Sequence, residues 1–229
     1  LGYETEDYAG FKLLGEVESN LTLGEENFNS GTNNRTNYPR VTDPQGAEIN
    51  RLHASYTHDG QYKATLGRQY IEFDNARHIG ISIFRQNART YDAARFDLLP
   101  TTSFNLAATY AYVDGVQSVL GSDAANGHRD HDTHLINLSA DLGPAGQYTA
   151  YTYLIDNADV VNDSSATYGV RYTNSYPVQD ELTLGVATEF AYQTDHGHST
   201  LNYDARYYLA ELAAKHKAVK YTVGYEIMT

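Results

Sequence analysis

Leu66-Gly67-Arg68-Gln69, then Asp74-Asn75-Ala76-Arg77, then Ile79 to Ile83 running into Phe84-Arg85-Gln86-Asn87, then Thr90-Tyr91-Asp92-Ala93: the reading of this stretch decides the fold. From Leu66 to Asp97 it carries five arginines (68, 77, 85, 89, 95) against four acids (Glu72, Asp74, Asp92, Asp97), a balance of +1. The remaining residues hold 11 basic and 25 acidic side chains, a balance of −14. Arginines spaced along β-patterned segments need solvent or a paired charge on the strand face that bears them. A water-filled barrel lumen supplies that solvent. The expected fold is therefore all-β: a transmembrane, antiparallel, up-and-down β-barrel, read as one domain over residues 1–229.

Working outward, the flanking sequence alternates as barrel strands do. Phe11, Leu13, Gly15, Val17, Leu21 and Leu23 alternate with Lys12, Glu16, Glu18, Asn20 and Thr22, with Leu14 as the exception. Residues Glu25 to Gln45 are rich in Asn, Thr, Gly and Pro without periodicity and read as a long loop. Asp59-Gly60 between two alternating runs is a tight hairpin signal, because such a turn needs positive φ. Further strands are expected from Phe104 to Val113, Ile136 to Leu142, Tyr148 to Asp156, Ala166 to Tyr172, Leu182 to Tyr192, Tyr203 to about Ala214, and Val219 to Ile227. Asp114 to Thr133 reads as a second long loop and Asn174 to Asp180 as a short turn. Tyr207 to Lys215 is compatible with a helix and is assigned to a strand.

The count is about twelve strands, with long and short connections in alternation. Twelve would leave a narrow lumen, whereas roughly 16–18 leave an aqueous channel, so the visible strands are expected to belong to a larger barrel. Ending on Ile227-Met228-Thr229 just after a strand, the chain is expected to continue past its C-terminus and is open to extension at Leu1.

Composition agrees. The 21 tyrosines, with no tryptophan and no cysteine, favour strands over a helical core. No run of about 18 apolar residues is present, but barrel strands need only about 9–11 of alternating character. A net charge of −13 argues against nucleic acid as a partner, since phosphate contacts need a basic face. Tyr56, Tyr62, Tyr112, Tyr148, Tyr172 and Tyr192 fall near strand ends, where an amphipathic ring suits the headgroup level. Cross-strand packing in a soluble sheet accounts for them equally well.

The organising stretch also resembles the corresponding run in alginate-export-type outer-membrane porins. Leu1-Gly2-Tyr3-Glu4-Thr5 with Tyr8-Ala9-Gly10-Phe11, the loop from Tyr38-Pro39 to Asp43-Pro44, and Tyr203-Asp204-Ala205 with Tyr207-Tyr208 are similar to that family too. The resemblance covers most of the chain through short, non-catalytic motifs. It implies a solute-passing β-barrel of the Gram-negative outer membrane and leaves the solute open.

No nucleophile elbow, zinc-protease helix, phosphate-binding loop or dinucleotide fingerprint occurs, and an enzyme is not expected. Pairs such as Glu16 with Glu18, or Glu181 with Glu189, suit a lumen lining better than a glycosidase dyad. The expected function is passive diffusion of hydrophilic, anionic or carbohydrate solutes. Arg68, Arg77, Arg85, Arg89 and Arg95 would line the pore, extended by Lys63 and Arg171, because arginine offers bidentate geometry to carboxylates. The alternative from another class is a secreted soluble β-sandwich or adhesin that binds glycans through tyrosine-rich loops. No cofactor is implied. His128, His131 and His134, interleaved with Asp130 and Asp132, are candidate ligands for a loop-bound divalent cation, and Asp156, Asn157, Asp159, Asn162 and Asp163 read as an acidic surface loop. Expected partners are outer-membrane lipid and lipopolysaccharide, with small hydrophilic or anionic carbohydrates as solutes.

Overall fold

Alternation at period two governs the described residues of the structure, a computed structural model, which are 1–100, 105–122, 124–125 and 127–229. Twelve strands form in chain order: β1 (Gly2–Glu4), β2 (Phe11–Asn20), β3 (Gly46–His58), β4 (Tyr62–Gln69), β5 (Thr90–Leu98), β6 (Leu106–Gln117), β7 (His128–Asp141), β8 (Gln147–Ile155), β9 (Ser165–Gln179), β10 (Leu182–Asp195), β11 (Asp204–His216) and β12 (Val219–Met228). They make one 12-stranded sheet in sequential order from β1 to β12. Every strand pairing that the described residues define is antiparallel. The all-β, up-and-down expectation holds, and Tyr207 to Lys215 is strand.

Connections after even strands are long (21–45, 70–89, 118–127, 156–164, 196–203), and those after odd strands are short (59–61, 142–146, 180–181, 217–218) or moderate (5–10, 99–105). Asp59 and Gly60 both have positive φ, of 49° and 66°, as the Asp-Gly turn requires.

Several boundaries differ from the sequence reading. The loop expected from Asp114 to Thr133 shrinks to 118–127, because β6 runs on through Val116 and Gln117, both buried, and β7 begins at His128. Polar composition concealed a strand there: half-buried Arg129 and His131 and buried Thr133 alternate with exposed His128, Asp130 and Asp132. Leu21 and Leu23 fall outside β2, which ends at Asn20. The turn expected at Asn174 to Asp180 narrows to 180–181, with β9 running through Gln179 and positive φ at Glu181. Pro177, which lacks a donor N–H, sits at the register shift where β9 meets the start of β10. Phe104, which opened an expected strand, lies outside the described residues.

The described residues gather in two compact units. Unit 1 comprises Leu1–Phe96, Ala111–Thr133 and Asn157–Val160. One face of its sheet exposes Phe11, Leu13, Leu52, Leu66 and Phe96, while the other carries buried Thr65, Gln69, Tyr91 and Ala93. Residues 70–89 form no strand. The expected β-pattern at Ile79 to Ile83 belongs instead to a folded connection that buries Ile71, Phe73 and Ile79. Positive φ at Asp74, Ala76 and Ser82 breaks any extended run through it.

Unit 2 comprises Asp97–Tyr110, His134–Asp156 and Val161–Thr229. Its apolar face exposes Leu138, Tyr148, Val170, Leu184, Phe190, Tyr208, Leu212 and Val223. Its other face buries Tyr151, Tyr153, Ala187, Glu189 and Ala191. In unit 2 Tyr148 and Tyr172 pair across β8 and β9 with ring centroids 4.9 Å apart, and Phe190 and Tyr208 pair across β10 and β11 at 5.2 Å.

Candidate functional site

The connection 70–89 of unit 1 carries Arg77, Arg85 and Arg89, and Arg95 follows on β5. Its shape comes from short-range bonds. Ala76 N–H donates to the Phe73 carbonyl at 2.9 Å, Phe73 N–H to Ile79 at 3.2 Å, and Arg89 N–H to Ile81 at 2.7 Å. The buried Tyr91 hydroxyl donates to the Gly80 carbonyl at 2.9 Å, pinning the connection to β5. A side chain on Gly80 would crowd Ala76, so the close approach requires glycine there. With Ile71, Phe73 and Ile79 turned into protein, this segment is held rather than loose.

Residues 20–45 brace the same segment. Gln86 N–H donates to Asp43 Oδ1 at 3.2 Å, the Arg85 guanidinium stands 4.0 Å from Asp43 Oδ2, and the Asn20 side chain donates to Asn87. Ser122 N–H donates to Glu48 Oε2 at 2.9 Å, so the connection 118–127 meets the same end of unit 1. Arg85 lies over the Phe84 ring at 5.4 Å and Arg95 over Phe73 at 5.9 Å. A ring beneath a guanidinium steadies it.

Two other expected arginines are placed differently. Arg68 shares its strand face with Leu66 and its cross-strand partner Leu52, both exposed, opposite buried Thr65 and Gln69. Its guanidinium grips Asp92 through two bonds of 2.8 and 2.7 Å, donates to the Ile49 carbonyl at 3.2 Å and bonds Gln117. His128 Nε2 lies 3.1 Å from the same carboxylate. In unit 2, Arg171 is paired in register with Glu189, and its side chain is 14% exposed against 1% for its partner. The Tyr151 hydroxyl donates to the other Glu189 oxygen at 2.6 Å. Lys63 is half-buried on the strand face it shares with Thr65.

Sequence reasoning missed Arg51. Its guanidinium bonds Glu16 at 2.6 and 3.2 Å and lies 4.6 Å from the centroid of the Tyr70 ring. Asn50 Nδ2 donates to Glu16 Oε1 at 2.6 Å and to the Tyr70 hydroxyl at 2.7 Å. Glu16 and Arg51 are cross-strand partners beside a register shift at Glu16/Val17, and period-two pattern cannot reveal register.

The three candidate metal-ligating histidines are not brought together. His128 faces Asp92, the His131 ring is 3.1 Å from the Thr133 hydroxyl, and His134 lies 2.9 Å from the Tyr110 hydroxyl. Among the described residues no group of three or more His, Cys, Asp or Glu side chains could hold a metal ion. Strand β7 explains this, since alternation puts His131 on the face opposite His128 and His134. In the acidic connection 156–164, Asn157 caps the N–H groups of Asp159 and Val160 at 3.1 and 2.9 Å, while Asp156 binds His198.

No family model and no curated protein matches the sequence. Solved structures do. OccAB2 of Acinetobacter baumannii superposes with a TM-score of 0.75 at 19% identity, over 99% of this chain and 60% of that one. OpdL of Pseudomonas aeruginosa gives 0.64 at 14%, over 96% and 53%. OpdK of Pseudomonas aeruginosa, solved with vanillate, gives 0.67 at 11%, over 95% and 55%. These neighbours are outer-membrane porins. At such identities the likeness carries the fold alone, an antiparallel up-and-down strand architecture shared with those β-barrels. It spans between about half and three-fifths of those chains. The alginate-export part of the sequence resemblance gains no support from them.

Proposed function

We propose that the chain forms part of an outer-membrane diffusion channel for small hydrophilic anions, with acidic carbohydrates or other carboxylates as the solute class. One observation carries the reading. A chain of net charge −13 folds one connection, 70–89, onto buried apolar anchors, and that connection bears Arg77, Arg85 and Arg89 with Arg95 beside it. Guanidiniums so held create a local positive potential at low cost in reorganisation, and the potential is screened over about 8–10 Å at physiological salt. The neighbour solved with vanillate, a carboxylate, is in keeping with that class. The channel is passive and needs no catalytic group.

The apolar face supports membrane residence over the soluble sandwich. Tyr110, Val170, Leu184 and Val223 of unit 2 are 43%, 56%, 43% and 77% exposed, where a sandwich would pack them against a second sheet. The row from Leu182 to Tyr192 on β10 runs about 33 Å along the strand, close to 25 Å once tilted, the height of a barrel's apolar band.

The test is a planar-bilayer recording of the whole protein. At low salt it should prefer anions despite its net negative charge, and changing Arg77, Arg85 and Arg89 together to Ser should move the reversal potential towards cations with folding retained. A triple variant that folds and keeps its anion preference would retire the proposal.

A further inference from the structure

We infer that the apolar face of unit 2 holds a seat for a single acyl chain of a bilayer phospholipid, with the ester and glycerol level of that lipid at the hydroxyls of Tyr172 and Tyr176. The inference rests on the membrane reading above. Across β7 to β10 two cross-strand rows lie side by side. One runs Ala140, Tyr148, Tyr172, Thr188, and the next runs Leu138, Ala150, Val170, Phe190. Small residues at 140, 150 and 188 leave a trough among bulky neighbours, about 600 Å³ in volume and predominantly apolar. A membrane-facing wall needs no such trough to fold. The atoms around unfilled space forgo dispersion contacts, and a flexible hydrocarbon chain restores them.

One end of the trough is polar. The Tyr172 and Tyr176 hydroxyls share a hydrogen bond of 3.0 Å, and Asn174 Nδ2 donates to the Tyr172 hydroxyl at 3.0 Å and to the Pro144 carbonyl at 3.1 Å. The Tyr148 ring packs on Tyr172 beside them. This cap stands by the short turn 142–146 and offers hydroxyl and amide groups, which suit ester carbonyls and glycerol oxygens. Apolar trough and polar cap thus follow each other in the order of a lipid's tail and linkage region. Size favours a lipid over a second copy of the chain. The trough falls in the range of small-ligand sites, roughly 300–1,000 Å³. A stable protein partner needs roughly 1,000 Å² or more of complementary surface.

The seat is tested by native mass spectrometry of the whole protein, extracted in mild detergent and re-equilibrated with phosphatidylethanolamine. The wild type should retain one lipid per chain. Ala150→Phe, which fills the trough from its floor, should lower retention at least tenfold. Tyr172→Phe with Tyr176→Phe, which keeps the rings and removes the hydroxyls, should lower it several-fold, and Leu212→Phe, elsewhere on the same apolar face, should leave it unchanged. Heat-shifted electrophoretic mobility reports barrel folding for each variant. Equal retention in folded wild type and Ala150→Phe overturns the seat while the membrane reading stands, and so does a dimer that Ala150→Phe converts to monomer, which would assign the trough to a second copy. Release of the wild type from membranes by carbonate without detergent would sink the membrane reading and the seat together.

Discussion

Arg85 and Arg95 in unit 1 lie over the rings of Phe84 and Phe73, whereas Arg171 in unit 2 is shut against Glu189 at a directly opposed strand position. The contrast is one of burial: the Asp43 carboxylate that faces Arg85 is 4.0 Å away and 21% exposed, whereas the Glu189 partner of Arg171 is 1% exposed. The Arg85–Asp43 pair is loose and screened by water, while a buried carboxylate with a tyrosine hydroxyl on its second oxygen ties Arg171 tightly into unit 2. Arg171 is therefore fixed within unit 2, on the face opposite the apolar one, by a pair that residues 77–95 do not share.

The largest effect expected from this difference is on stability. Glu189→Ala strands a buried guanidinium and removes the acceptor of the Tyr151 hydroxyl, a loss of about 3–5 kcal/mol by the usual cost of breaking a buried pair from one side. It should appear as a lower urea midpoint for the heat-shifted form. Arg85→Ala, with its carboxylate 4.0 Å away and half-exposed surroundings, should move the same midpoint by less than about 1 kcal/mol. Comparable losses in the two variants would erase the distinction between a buried pair and a screened one.

Strand alternation made most of the sheet legible. Hairpins at Asp59-Gly60 and Gly143-Pro144-Ala145-Gly146 are local events, so a sequence window contains all their causes. The arginine site was legible only as a charge anomaly. That Arg77, Arg85 and Arg89 ride on a folded connection depends on burial of Ile71, Phe73 and Ile79, a tertiary effect that reads in sequence as one more alternating segment. Likewise, His128 to His134 looked like a loop because charged residues dominate it. A strand whose exposed face carries His128, Asp130 and Asp132 needs burial on one side only, and Thr133 and Leu135 supply it.

Arg68 sharpens the comparison within unit 1, because it belongs to the organising stretch yet lies on the apolar face. Its side chain is 21% exposed and that of Asp92 30%, so the bidentate pair is partly screened. Arg68→Gln should cost about 1 kcal/mol in the urea midpoint and leave the reversal potential where the wild type has it. A shift comparable to that of the Arg77, Arg85, Arg89 triple variant would return Arg68 to the pore lining and show that strand alternation misassigns its face.

The smallest effect concerns a tether in unit 2 that involves no arginine. Asp156, just past β8, faces Nδ1 of His198 at 2.8 Å, accepts the His198 backbone N–H at 3.2 Å and accepts the Ser164 hydroxyl at 3.2 Å. Burial works to raise the pKa of this carboxyl, but the His198 backbone and ring and the Ser164 hydroxyl outweigh it and hold the value below the ordinary 3.8. A carboxyl depressed on folding contributes stability that is present above its unfolded value and is lost as pH falls through the folded one. The contribution of the Asp156 carboxylate to this tie should therefore be fully present at pH 5 and be lost only below about pH 4. The Ser199 amide, bonded to the His196 carbonyl at 3.1 Å within the tethered loop, is the reporter. Its hydrogen-exchange protection, corrected for the intrinsic rate, should drop between pH 5 and pH 3 in the wild type and be lower but pH-independent in Asp156→Asn. The rest of the loop is unchanged in that variant, so a drop between pH 5 and pH 3 that survives Asp156→Asn would remove the Asp156 carboxyl from the tether.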